Sequence, residues 1–492
     1  MKYPGFDVFE KSINEAGQAV VCMAADNADN NKTFLIIAGK DGVALNSPLG
    51  FTAQPLGDNK FKAALSHENA CVLRKLFPFT APVRGLGKPK SFGLGDRLGI
   101  ATPGHIDLFE KHDVFPMFSQ QSIRELTLTN RKYEDVLDAA TFAVFREGYK
   151  KGFGADGDHL KTAKDVEYAL SLGFTMITLD CSEHIRNDIT LDNAPPAPSR
   201  YIEKYLNKTF DIEGTKLVFS EKELNCCFAI YAHAIVFASD IYKQFFACGK
   251  YNADFEISID ETVSVTTPLQ HFFVARELLD AGVKFATIAP RFCGEFQKGI
   301  DYIGDIVQFE KEIKIHAAIA RHLSSALQLS PSLQSAAQVG YKLSIHSGSD
   351  KFSVFPFIGR ETRGQWHVKT AGTNWLEAMR VVAIVDPALY RDVHNYALTA
   401  FEEAKKYYHV TTDMAKLPDI KTMSDKDLPT LLDNNEARQV IHITYGLILS
   451  LKNNDGQFVY KDKLYKLWQD HEDEYRKALV KHIGKHLELL NA

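Results

Sequence analysis

The sequence predicts a TIM-type (β/α)₈ barrel carrying a small N-terminal α/β cap and a C-terminal helical region. Three observations predict it. Short apolar runs, each followed by turn residues and a helical stretch, recur at 98–102, 114–119, 152–156, 175–180, 255–260, 284–289, 342–346 and 367–370. Eight such units in series suit a closed parallel barrel better than an open sheet, although a doubly wound sheet shares the same rhythm. Alternation within the runs then turns Ile177, Leu179, Ile257, Ile259, Leu343 and Ile345 outward. It leaves Thr178 with Asp180, Glu256 with Ser258 and Asp260, and Ser344 with His346 pointing inward. Three strands therefore end on an inward polar or ionisable side chain, at the mouth where barrel enzymes keep their chemistry.

The flanking segments follow in order. Residues 1–88 hold one clear strand and turn, TFLIIAGKDG (33–42), and a helical candidate over 67–77, which together read as the cap. The barrel is expected over 89–375. Residues 190–225 are irregular and proline-containing, suited to a lid or an interface. Beyond that, 376–492 read as helices packed on the barrel, among them EARQVIHITYGLILSL (436–451).

Composition narrows the class. The 492 residues are 45% hydrophobic and 24% charged, with a net charge of −5. That balance gives no bulk attraction to nucleic acid or to an anionic membrane. Seven scattered cysteines, an odd number without a CxxC pair, argue against a disulfide framework and for a reducing compartment. The opening MKYPGFDVFEKSINEAG lacks the apolar core of a signal peptide, and no run approaches the ~18 apolar residues of a membrane span. A cytoplasmic enzyme is the expectation. Its partner is a small molecule, and a homo-oligomer is left open.

GFGADGDHLK (152–161) carries the most chemistry. Its formal GxGxxG lacks a helix opening on the last glycine and a ribose-binding acidic residue after a second strand, so a dinucleotide cofactor is not expected. The segment instead presents Asp156, Asp158, His159 and Lys161 together. Carboxylate plus imidazole suits a divalent metal, and an adjacent carboxylate suits a general base. An acidic surface turn is the plainer alternative. IHSGSDKFSVFP (345–356) offers His346 at a strand end, followed by Ser347, Asp350 and Lys351 for a substrate. IDETVSVTTPLQHFF (259–273) offers Asp260 and Glu261, then Thr267 as a helix N-cap with Pro268 behind it. His271 falls in the first turn of that helix and can face the mouth, whereas His316 and His322 read as structural. LDCSEH (179–184) adds Asp180 and Glu183, and Gln120 stands just past the second run. APRFCGEFQKG (289–299) brings Arg291 and Lys298, suited to an anionic substrate, and Lys369 lies near the last strand end. HExxH, GxSxG and GxxxxGK[ST] are absent, which excludes a zincin-type site and sets aside kinase, NTPase and serine-hydrolase readings.

Taken together, FGLGDRLGIATPGHI (92–106), GFGADGDHLK (152–161), LDCSEH (179–184), PLQHFFVARELLDAG (268–282), APRFCGEFQKGIDYIGD (289–305), KLSIHSGSDKFSVFP (342–356) and HVKTAGTNWLEAMR (367–380) resemble the tagaturonate epimerase family. The resemblance extends more weakly through RQVIHITYG (438–446). It implies interconversion of D-tagaturonate and D-fructuronate with a divalent cation, among which Zn, Mn, Ni, Co and Fe are not separated. Some similar proteins act on tagatose and fructose. Carried across residue by residue, the resemblance makes Asp158 the proton acceptor and Glu261 the proton donor. It makes His159 and His346 metal ligands, with His271 as the third. Gln120, Lys161, Asp180, Asp260, Arg291, Ser347, Asp350 and Lys351 are the expected substrate contacts. A link at 323–338 is longer than the family's usual one and is expected away from the mouth. The rival enzyme readings are a metal-dependent aldolase or ketose isomerase on the same barrel. The rival outside catalysis is a sugar-binding regulatory protein.

Overall fold

Eight strands pair in parallel, each with the next, until the eighth closes on the first. They are β1 (Lys90–Gly95), β2 (Phe115–Ser122), β3 (Gly154–Leu160), β4 (Met176–Asp180), β5 (Asp254–Ile259), β6 (Thr287–Pro290), β7 (Lys342–Ile345) and β8 (Trp366–Ala371). Closure leaves no edge strand exposed. The expected barrel is therefore present. In this computed structural model all residues are described except 1, 2, 4, 29–31, 41, 42, 44, 46, 58, 329–339 and 492. Most of the 323–338 link lies outside the described residues.

The alternation holds. Ile177, Leu179, Ile257, Ile259, Leu343 and Ile345 are buried in one large apolar cluster with the surrounding helices. Each such burial stabilises by roughly 1.5–3 kcal/mol. Their polar neighbours are thereby turned into the lumen.

One strand is not where the sequence predicts it. Residues 98–101 are a turn leading into a helix at Thr102, and the first strand is the glycine-bearing Lys90–Gly95. The Asp96 carboxylate explains the difference, because it accepts the backbone N–H groups of Leu98, Gly99 and Ala101 and folds LGIA around itself. Pro103 then starts the helix Thr102–Phe109. Gly93 is required inside the strand, since a Cβ there would stand 1.7 Å from Gln120 Oε1.

The N-terminal residues form a six-stranded sheet of antiparallel pairs and the helix His67–Leu76, capped by Ser66. Phe77, Phe142 and Phe145 share its core, and Arg74 pairs with Asp138 at 2.8 Å, so this unit leans on the barrel helix Tyr133–Glu147. The 190–225 insertion contains the helix Ser199–Tyr205 and a hairpin of Thr209–Ile212 with Thr215–Val218. Tyr205 and Phe210 pack on Phe273 and Phe272 of the helix Pro268–Asp280, along the barrel's flank. Helix Glu221–Phe245, between β4 and β5, is long and apolar enough to cross a membrane by length and composition alone. Here it packs beside Pro268–Asp280 as a core helix, with 56% of its most apolar window buried. All seven cysteines are free thiols.

From Thr373 the chain is helical and forms a second core with Leu98, Ala101 and Trp375. Its last helix, Glu472–Leu489, lies on Thr102–Phe109 and brings His482 against Asp350.

Candidate active site

A cavity of about 550 Å³ opens among residues at the C-terminal strand ends. Asp158, His159, Asp180, Asp260, His346 and Lys369 line it. Strict alternation would turn Asp158 inward and His159 outward. The pairing of β3 with β4 shifts between Ile177 and Leu179, so that residues 158 and 159 together stand opposite Thr178. His159 adopts a left-handed φ of 56°. This bulge re-aims the second residue, and both neighbours reach the cavity. Gly157, just before it, packs outward so closely that a Cβ would meet Ile177 at 3.0 Å and Ala169 at 3.1 Å. Of the glycines of the formal GxGxxG, Gly154 and Gly157 lie in the strand and Gly152 just before it, with no helix opening on them.

Below the mouth lies a buried charge cluster. Lys369 Nζ sits 2.5 Å from Asp158 Oδ1, 2.7 Å from Asp156 Oδ2 and 3.3 Å from Glu256 Oε1. It also donates to Thr178 Oγ1 at 2.6 Å. Burial opposes the charge on Lys369, but Asp156, Asp158 and Glu256 outweigh it and hold the ammonium well above its usual range. Burial also opposes ionisation of Asp158, and Lys369 with His159 overcomes it, holding that carboxyl well below the usual range. Asp156 is pushed up to about 6 by burial, with Lys369 opposing and Asp158 and Glu256 adding. Asp158 Oδ1 is taken by Lys369 and His159, while its Oδ2 makes no hydrogen bond among the described residues.

The two histidines are held by opposite ring nitrogens. His159 Nδ1 meets Asp158 Oδ1 at 2.7 Å, and its Nε2 makes no hydrogen bond among the described residues. His346 Nε2 meets Glu256 Oε1 at 2.8 Å, which leaves Nδ1 without a hydrogen-bond partner although it is buried. That Nδ1 stands 3.0 Å from Asp260 Oδ1. Ligating atoms of His159, Asp260 and His346 all lie within 4.8 Å of one another. Imidazoles backed by carboxylates, with an orphaned nitrogen facing a carboxylate, fit a divalent cation with two nitrogen ligands and one oxygen ligand. In the protein without a cation, burial opposes a charge on His346, but Asp260 and Glu256 raise it to about 10. The negative field that holds this proton also favours a cation.

The predicted residues separate accordingly. Asp158, His159, Asp260, Glu261 and His346 line the cavity together with Gln120, Lys161, Asp180 and Ser347. Arg291 lines a neighbouring cavity of about 320 Å³ that shares Asp260, Glu261, His346 and Ser347 with the first. His271 is not brought to the mouth. It is fully buried, with Nδ1 2.9 Å from His316 Nδ1 and Nε2 3.1 Å from the Tyr341 hydroxyl. Its helix is capped by Thr267 as expected, but the helix turns this residue toward its neighbour Ile306–Gln328. Asp260, not His271, is the side chain that stands with His159 and His346. Asp350 and Lys351 do not line the cavity either. Asp350 is paired with Arg438 at 2.7 Å and with His482. Lys351 donates to the carbonyls of Gln297, Ile300 and Ser349. Arg124 also lines both cavities and gave no motif signal, because it sits within a plain helical stretch, Ile123–Thr129.

This geometry belongs to a chain whose residues 9–490 match the family model described as tagaturonate epimerase. The chain belongs to the tagaturonate epimerase family. It is similar to the tagaturonate/fructuronate epimerase of Thermotoga maritima, 40% identical over 99% of this chain and 97% of that protein. Two crystal structures of a fructuronate-tagaturonate epimerase from Cohnella laeviribosi superpose with a TM-score of 0.90 at 45% identity. Both cover 99% of this chain, the glycerol complex 96% and the native form 97% of their own. Membership makes this family chain an isomerase with its site in a (β/α)₈ barrel.

Proposed function

We propose that the protein interconverts D-tagaturonate and D-fructuronate, needs a divalent cation, and works by carbon–carbon cleavage and re-addition. The observation that carries the reading is the pair of carboxylate-backed imidazoles beside Asp158, whose second oxygen makes no hydrogen bond among the described residues. The names of the similar epimerases support the substrate pair.

The two sugars differ at a carbon β to the ketone. Its C–H is not acidified by that carbonyl, so a base cannot simply remove the proton. His159, His346 and Asp260 would hold a divalent cation, which would supply Lewis acidity when bound. Asp158 takes the proton from the hydroxyl on the epimerising carbon. The bond between that carbon and the α carbon breaks, its electron pair moving toward the ketone, which leaves an enediolate and an aldehyde. The aldehyde turns, the enediolate attacks its other face, and Glu261 protonates the new alkoxide. Asp158 and Glu261 then recover their starting states by exchange with water at the open mouth. In the reverse direction their roles exchange.

Asp158→Asn keeps an oxygen for His159 Nδ1 but removes the base. It is expected to lower kcat by roughly 10²–10⁴-fold at unchanged metal stoichiometry. Steady-state kinetics with elemental analysis checks this, and a wild-type kcat would remove Asp158 from the role. The deciding experiment incubates chelator-stripped and metal-reloaded protein with tagaturonate and with tagatose, without added NAD, and follows the sugars by NMR. Epimer formation from tagaturonate only after reloading is expected. Equal turnover in stripped protein overturns the metal requirement, and turnover of tagatose alone overturns the substrate.

A further inference from the structure

Most cations around the mouth are already paired. Lys161 faces Asp180 at 3.6 Å and Glu183 at 3.4 Å, and Lys369 is enclosed by three carboxylates. Arg97 takes Glu125, at 2.8 Å and out of solvent. Two cations are different. Among the described residues the Arg124 guanidinium makes no hydrogen bond and no ion pair, and it lies over the Tyr408 ring, 5.0 Å away. Among the described residues, Lys298 Nζ has only the Ser347 hydroxyl, at 3.3 Å. Both side chains line the main cavity and the one beside it. The carboxylate adjacent to Arg124 in sequence, Glu125, is the one that Arg97 consumes.

This arrangement is supported from behind. The Tyr408 hydroxyl lies 3.1 Å from that of Tyr445, and the Tyr445 ring lies 3.9 Å from the Arg97 guanidinium. Tyr408 comes from the C-terminal region, so that region builds one wall of the mouth. A guanidinium with five unused donors beside an ammonium, in a concave site, repels its neighbour until an anion arrives. A uronate carries its carboxylate at the opposite end of the carbon chain from its ketone. The cation-binding group is His159, Asp260 and His346, and it leaves Arg124 and Lys298 for that far end.

We propose that Arg124 and Lys298, with Arg124 seated on Tyr408, bind the sugar carboxylate and set the preference for a uronate over an uncharged ketohexose. The proposal rests on the tagaturonate reading above. Arg291 and Lys351, the other cations expected for this task, are excluded by position, since neither lines the main cavity.

The test is kinetic, on the metal-loaded full chain. Arg124→Met is expected to lower kcat/KM for tagaturonate roughly 10- to 100-fold, mostly through KM, the size of a lost charge-assisted hydrogen bond. The ratio of kcat/KM for tagaturonate over tagatose should fall by the same factor, and Arg124→Lys should recover part of it. Tyr408→Leu, which leaves the charge but removes its seat, should raise KM for tagaturonate a few-fold. Arg124 is exposed, so its two variants are expected to fold, and a thermal melt checks them together with Tyr408→Leu, whose residue is buried. An unchanged KM in Arg124→Met overturns the assignment. So does an equal loss on both sugars, which would indicate a general structural role. A wild-type protein that ignores tagaturonate altogether fails the functional reading instead, before any variant is compared.

Discussion

The His346→Ala protein is expected to hold no divalent cation after dialysis and to lose at least about three orders of magnitude in kcat. The expected size follows from what this side chain does. His346 offers one of the two imidazole nitrogens in the group and stands between Glu256 and Asp260. Its removal deletes a ligand and leaves those two carboxylates facing each other without a proton donor between them. Lost ligands and displaced outer partners typically weaken metal affinity by 10–100-fold or more. Excess metal should therefore restore only a trace of activity. Elemental analysis and the NMR assay measure both quantities on one sample. A variant that keeps stoichiometric metal and wild-type turnover would move the cation away from His159, Asp260 and His346.

The second large effect concerns stability. Lys369→Met is expected to cost about 3–5 kcal/mol, the range for removing one member of a buried ion cluster. Asp156, Asp158 and Glu256 converge on Nζ within the barrel, and no other cation among the described residues forms an ion pair with Asp156. The observable is a melting temperature lower by roughly 3–5 °C. Adding Asp156→Asn should return part of the loss, because it removes one of the carboxylates left uncompensated. Independent, additive losses in the double variant would mean that Lys369 does not hold the cluster together. A melting temperature unchanged in Lys369→Met would mean the same.

Much of this was legible in the residues, for a physical reason. The barrel strands alternate between outward aliphatics and lumen polar groups, and that period survives in a single sequence. Asp158, His159 and His346 were legible because strand ends and glycine turns mark the mouth. The first strand was not, since its glycines carry no apolar signal and the more apolar LGIAT beside it is folded around Asp96. His271 misled because helical spacing places a residue in the first turn without saying which neighbour it faces. His316 and Tyr341 take both its ring nitrogens. Lys369 and Arg124 depend on partners far along the chain, Asp156 and Tyr408, which no local pattern can announce. Asp260 was visible as an inward carboxylate. Only the nearby Nδ1 of His346 changes it from a substrate contact into a ligand candidate.

The bulge at residues 158 and 159 has a consequence for anyone redesigning this enzyme. Asp158 and His159 are adjacent and share one hydrogen bond, with His159 at a left-handed φ of 56°, so the proposed base and ligand move as a single body. A substitution meant to change the proposed metal preference at His159 will also displace the carboxylate proposed to take the proton. A substitution meant to retune that carboxylate will rotate the imidazole. Library designs that vary the two positions independently should return mostly inactive combinations, and improved variants should carry paired changes.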